Sequence, residues 1–265
     1  MDFLLRLVTR LLEPDSIVTH VDVPASFLVD TGQVYQALRK IKTNKSPGPD
    51  SIPNKILKMF TFELAHVIVD VYNSSLSQAW FPSSQLKLSI VWPIPKELPP
   101  TSIENDLRSI SLTLQISKIM ERFTINSLMP QVIDHLDPKQ FALPNKSTTD
   151  ALVYLLHQIF AALDSGHNSI RLFFAYFRKG FDLVEHNVII NELGKLNVHL
   201  VLTRWITAFL TNRQQCVKFD CHQSSWREIA SAPQATWKSA NGGLPQGTCL
   251  GSLLFAIVVN KLTHY

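Results

Sequence analysis

Phe173-Phe174-Ala175-Tyr176-Phe177-Arg178-Lys179-Gly180-Phe181-Asp182 is the stretch on which the reading of this chain turns. From Arg171 to Phe177 the run is almost wholly apolar and rich in aromatics, at strand rather than helix length. That pattern predicts a strand buried on both faces. Asp182-Leu183-Val184-Glu185 then reads as a helix N-cap with an acid three residues on, opening a helical pattern through Leu196 and a second from Val198 to Leu210.

Upstream, the pattern is mainly helical. Val34, Leu38 and Ile41 share one face over Gln33 to Lys42, and Lys45-Ser46-Pro47-Gly48-Pro49-Asp50 is a sharp turn, because two prolines and a glycine cannot continue a helix. Core spacing through Ile56, Leu57, Phe60, Leu64, Ile68, Val71 and Tyr72 predicts one long helix from Pro53 to about Ala79, closed by Trp80-Phe81-Pro82. Leu86 to Ile94 alternates and is β-branched, a strand ending at Pro93 and Pro95. Glu97 to Asp106 is a polar loop, and helical period runs from Leu112 to about Val132. Ser147-Thr148-Thr149-Asp150 is an N-cap cluster opening a helix to about Leu163.

Downstream, Gln215 to Asp220 and Ser225 to Ala230 read as two paired strands, and Leu250 to about Leu262 as a last apolar helix. Met1 to Leu12 has the spacing of a short amphipathic helix, and its embedded Arg6 and Arg10 argue against a signal peptide. Glu13 to Thr31 reads as an irregular lead-in.

With 265 residues, 46% hydrophobic and 17% charged, the chain has the makings of a folded protein rather than a disordered tail. The net charge of +4 is compatible with a polyanionic partner without identifying one. No apolar stretch reaches membrane-spanning length, so no membrane partner is expected. Cys216, Cys221 and Cys249 are an odd number without disulfide-framework spacing, which fits a reducing compartment. Cys216, Cys221 and His222 match no common zinc spacing and read as strand and turn.

Six segments, taken in order, share one likeness. Lys45 to Pro53 reads K-S-P-G-P-D-S-I-P, Val91 to Lys96 reads V-W-P-I-P-K, and Leu107 to Leu112 reads L-R-S-I-S-L. Gln140-Phe141 precedes Ser147 to Leu152, S-T-T-D-A-L. The opening stretch is followed by Gly243 to Thr248, G-L-P-Q-G-T, with L-G-S-L-L-F from Leu250 to Phe255. Together they resemble the reverse transcriptases of LINE-like (non-LTR) retrotransposons, whose signatures include K-S-P-G-P-D-G-I-P, L-R-P-I-S-L, D-F-x-K-A/G-F-D and G-x-P-Q-G-S. Ser109 and Ser252 replace family prolines, and Tyr176 stands where the family has a metal-binding Asp.

The resemblance implies an α+β right-hand polymerase fold. After the lead-in of residues 1–31, it implies helical fingers over 32–168 and a partial palm over 169–265. It implies that Lys96 and Arg108 contact an incoming triphosphate, that Lys179 lies beside it, that Phe181 is an aromatic steric gate, and that Gln246 packs against the nucleotide next to Gly247. Taken singly, Lys96 and Arg108 also read as solvated cations, Phe181 as a core aromatic, and Gly242, Gly243 and Gly247 as turn glycines.

The family carries out nucleotidyl transfer with two Mg²⁺ ions, which require hard oxygen ligands. A phenol is uncharged near neutral pH and a poor Mg²⁺ ligand. The family's other two carboxylates come from an F/Y-x-D-D hairpin, which the residues up to Tyr265 do not contain. The expectation is therefore a fragment lacking that hairpin and the thumb, catalytically inactive, without a metal site or cofactor of its own. The alternative is a nucleic-acid-binding module that retains the fingers surface, with RNA or DNA as a weak partner. The resemblance implies an intracellular location, nuclear or cytoplasmic.

Overall fold

The computed structural model describes residues 21–82, 84–99, 101–102, 106–177, 179–218, 238–240 and 242–260. The first helix, α1 (Thr31–Arg39), begins two residues before the sequence pattern does, because Asp30 forms a capping box with Gln33. The Asp30 carboxylate accepts from the Gln33 N–H at 2.8 Å, and the Asp30 N–H donates to the Gln33 side chain at 3.0 Å. Val34 and Leu38 are its buried face.

The single helix expected over 53–79 is two, α2 (Asn54–Met59) and α3 (Thr61–Ser77). The break is at Phe60, whose φ of −96° and ψ of 31° leave the helical region, while the Thr61 hydroxyl turns back to donate to the Lys58 carbonyl at 2.7 Å. Along α3 the spacing holds, with Leu64, Ala65, Ile68, Val71, Tyr72, Ser75 and Leu76 on the buried side.

Strand β1 (Leu88–Pro95) alternates in burial as its sequence alternates. Its antiparallel partner β2 (Leu107–Thr113) lies partly where helix was expected. Ile110 and Leu112 fit the helical period of the residues after them, but Ser89↔Thr113 through Pro95↔Leu107 pair as a ladder, and α4 (Gln115–Val132) starts only after Leu114. A third strand, β3 (Arg213–Val217), runs parallel to β1, and β4 (Lys238–Ala240) closes the order β2-β1-β3-β4. The described antiparallel neighbour of β3 is thus β4; the strand expected at Ser225–Ala230 and the helix expected over residues 1–12 lie outside the described residues, as do Cys221 and His222.

The remaining helices are α5 (Thr148–Asp164), α6 (His186–Lys195), α7 (Leu200–Leu210) and α8 (Cys249–Asn260). Among the described residues no helix is long and apolar enough to cross a membrane. One core joins α1 to α4 with α6 to α8. Its centre is aromatic: Trp205 meets Phe81 edge-on at 5.0 Å and Tyr72 at 6.2 Å, and Phe209 lies 5.3 Å from Phe81. Polar tips inside it are satisfied, the Trp205 indole N–H donating to Ser75 Oγ at 2.9 Å and the Tyr72 hydroxyl bonding Thr124 Oγ1 at 3.2 Å.

Two expectations for the deciding stretch fail. Residues 171–177 are neither a strand nor buried: Phe173 is 93% exposed and Tyr176 82%. A strand needs a ladder partner to satisfy its backbone, and none of the four described strands pairs with this segment. Asp182 does not cap a helix. The Asp182 and Leu183 N–H groups donate to the Lys179 carbonyl, forming a turn, and α6 starts later, with Glu185 at the N-cap position making no side-chain capping bond. Contacts with the glycine loop hold the intervening residues out of helix: the Gly243 N–H donates to the Val184 carbonyl at 2.9 Å, and the Leu244 N–H to the Phe181 carbonyl at 2.7 Å.

Candidate functional site

The loop Gly242–Thr248 links β4 to α8 and is pinned on both sides. Toward the turn at 179–183, Gly243 has φ +75°, and a Cβ there would stand 2.8 Å from the Asp182 carbonyl oxygen. Toward β2, the Ser111 N–H donates to the Gln246 carbonyl at 2.7 Å. Gly247, at φ +132°, would put a Cβ 2.5 Å from the Ser111 oxygen. Both positions therefore require glycine for conformation and for closeness together. The His186 Nε2 bonds the Gly243 carbonyl at 2.9 Å, fastening the loop to the start of α6.

Between this loop, β2 and β3 lies a cleft of about 290 Å³, whose wall includes Ser109, Ser111, Asp182, Arg213, Gln215 and Gln246. Beneath it lie two buried ionisable residues, Glu121 and Arg213, that sequence reasoning passes over. Glu121, in the middle of α4, is fully buried, and its Oε2 accepts from the Cys249 and Leu250 N–H groups at 2.8 and 3.1 Å. It thereby caps α8, where the helix dipole favours an anion. Burial pushes its carboxyl above the ordinary range, while the Leu250 N–H and the Arg213 charge pull the other way. Arg213 is itself 2% exposed, and burial brings its guanidinium down to about 10, with Glu121 opposing that shift. A sequence signal for Glu121 exists: Ser117 and Thr124 flank it on the same helix face, and both are buried.

The residues singled out from the sequence do not converge on one point. Gln246 lies on the cleft wall, with Gly247 next to it. Lys96 and Arg108 are exposed at the open end of the β1–β2 hairpin, where Ile94 pairs with Arg108. The hairpin end is closed by the Lys96 N–H donating to the Asp106 carbonyl at 2.7 Å. The Asp106 carboxylate accepts from the Ser102 and Thr101 N–H groups and the Thr101 hydroxyl, which hold its carboxyl below the ordinary range. Lys179 is exposed at φ 56° on the turn before Phe181. Phe181 is half-buried and stacks on Phe255 of α8 at 4.6 Å, away from the cleft wall. Tyr176 lies on a separate, largely apolar groove of about 610 Å³ with Phe177, Leu183, Val188 and Phe255.

The hairpin thus carries Lys96 and Arg108 at its open end, the P-Q-G loop is tied to it through the Ser111 N–H, and Phe181 stacks on α8. Residues 94–264 match the family model for reverse transcriptase (RNA-dependent DNA polymerase), and the chain belongs to that family. It is 24% identical over 239 residues to the RNA-directed DNA polymerase from mobile element jockey of Drosophila melanogaster, covering 88% of this chain and 24% of that protein. With the probable RNA-directed DNA polymerase from transposon X-element of the same species it shares 28% identity over 228 residues, 85% of this chain and 24% of the relative. The domain is thus a reverse-transcriptase domain of the non-LTR, LINE-like kind with mixed α+β structure, and the chain spans about a quarter of the length of these curated relatives.

Proposed function

We propose that this stretch of 265 residues is a retrotransposon reverse-transcriptase segment that does not itself carry out nucleotidyl transfer. The observation that carries the reading is Tyr176. At the position of the family's first metal-binding Asp it offers a phenol, on an exposed, unpaired segment whose groove is largely apolar, with Glu185 the single carboxylate among its described lining residues. Two Mg²⁺ ions need several hard, anionic oxygens held in octahedral geometry. The residues here do not fit that requirement. Asp182 is a lone carboxylate on the other cleft, no group of three or more His, Cys, Asp or Glu side chains converges among the described residues, and no Asp-Asp pair occurs in the sequence. Primer extension on an RNA template with Mg²⁺ tests this: no product is expected, and extended primer would overturn it.

A second reading is favoured by the cleft. The relatives' names describe RNA-directed polymerases, and the loop that bears Gln246 is bonded through the Ser111 N–H to the hairpin that bears Lys96 and Arg108. This arrangement supports weak, salt-dependent binding of RNA or DNA at the fingers surface, through Lys96 and Arg108 at the hairpin end and Gln246 on the cleft wall. Filter binding at low salt is expected to detect it, with affinity falling as salt rises. Absence of binding at low salt would remove this reading.

A further inference from the structure

Arg213 opens β3 with its side chain enclosed between the sheet and α7. Its Nη1 donates to the Phe209 carbonyl at 3.2 Å, and the guanidinium lies over the Phe209 ring at 4.8 Å. Its Nε and Nη2 have no hydrogen-bond partner among the described residues. Those two N–H groups share the edge of the guanidinium that receives a carboxylate or phosphate in the bidentate, two-oxygen manner. Buried polar groups are nearly always paired, and an unpaired buried cation is costly enough that its retention calls for a reason. Glu121 does not supply one. It lies near enough to interact through charge, but it makes no hydrogen bond to the free edge of the guanidinium, and its oxygens are engaged by α8 and Ser117. The fork is therefore held in place from behind, by the carbonyl and the ring, with its binding edge uncommitted and buried just beneath the wall of the 290 Å³ cleft that Arg213 helps to line.

We propose that Arg213 is a phosphate-binding residue of this cleft, receiving two oxygens of one phosphate group from a nucleotide or a nucleic-acid strand. The proposal deepens the binding reading above and rests on it, but it is independent of whether the chain transfers nucleotides. Hydroxyl and amide side chains on the same wall, Ser109, Ser111, Gln215 and Gln246, suit the rest of a nucleotide unit. Asp182 is the only carboxylate among the described lining residues and repels any anion; free phosphate, which has no base or sugar to contact the hydroxyl and amide groups of the wall, should bind most weakly of the candidate ligands. Because the fork is shielded from bulk water, the phosphate must displace neighbouring side chains as it enters, and the interaction is then strengthened by the low local polarity.

The test is the side-chain Nε–H resonance of Arg213 in the intact ¹⁵N-labelled chain, titrated separately with thymidine 5′-triphosphate, a short single-stranded oligo-dT and inorganic phosphate. A saturable shift is expected with the nucleotide or the oligonucleotide; which of the two is stronger assigns the source of the phosphate. Arg213→Lys, which keeps the charge and removes the fork, should weaken that binding about tenfold. No movement of the resonance with any probe overturns the proposal, as does unchanged affinity in a folded Arg213→Lys variant. Binding of the nucleotide or the oligonucleotide while the Arg213 resonance stays still with every probe would refute the proposal alone. No binding of any probe would refute the binding reading with it.

Discussion

Helices α3 and α5 are each seventeen residues long, and the second is the more apolar of the two. They differ in what surrounds them. Eight residues of α3 are buried, around Tyr72 and the Trp205 cluster, whereas α5 buries none. Val153 is 61% exposed and Phe160 59%, and the apolar segment 171–177 beyond α5 is equally open. The two helices show that an amphipathic pattern specifies a face but not its cover. In α3 the cover comes from elements far away in sequence, the Trp205–Ser75 bond bridging 130 positions. In α5 the local rules are all obeyed, with Ser147 accepting from the Asp150 N–H at 3.2 Å and donating to its carboxylate at 2.7 Å, yet among the described residues nothing buries the helix.

Trp205→Ala should cost about 3–5 kcal/mol of stability in chemical denaturation, since it empties the aromatic centre beside α3 and removes a partner of Ser75. A loss below about 1 kcal/mol would mean that this half is loosely packed. Glu121 should give stability a pH dependence of definite sign. Its folded-state carboxyl is raised, so the contribution is fully present below the ordinary Glu range and is lost as pH rises through the raised value. Denaturation curves from about pH 4 upward should thus show a declining contribution that Glu121→Gln flattens; the opposite slope for that difference would contradict the burial argument. Ser147→Ala should cost about 1 kcal/mol and fray the start of α5, read by amide hydrogen exchange, with α3 unaffected. Phe160→Ser should change stability by less than about 0.5 kcal/mol, because the ring is already exposed; a large loss would show that α5 is covered in solution.

Much of this contrast was legible in residue pattern, and some was not. The turn at 45–50, the Ser147 cap, the burial stripe of α3 and the alternation of β1 follow from local chemistry, and the structure has them. The P-Q-G loop was visible as a motif, but the need for glycine at Gly247 comes from a contact with Ser111 that only the fold reveals. Residues 171–177 carry the composition of a buried strand, but burial depends on a neighbour, and composition does not supply one. β2 was obscured because its short alternation runs directly into the helical period of α4. Arg213 and Glu121 come from segments about ninety residues apart, so each looked like an ordinary charge until the sheet and α8 met between them.

The proposed absence of nucleotidyl transfer rests on the exposed Tyr176 segment, in a chain whose Gln246 loop is ordered. Primer extension by this chain and by its Tyr176→Asp variant, with Mg²⁺ and an RNA template, tests that claim most directly. Neither protein should extend the primer, because restoring one carboxylate leaves the metal ions without the others they need. Extension by either would contradict the account and would mean that the metal-binding oxygens have been misplaced.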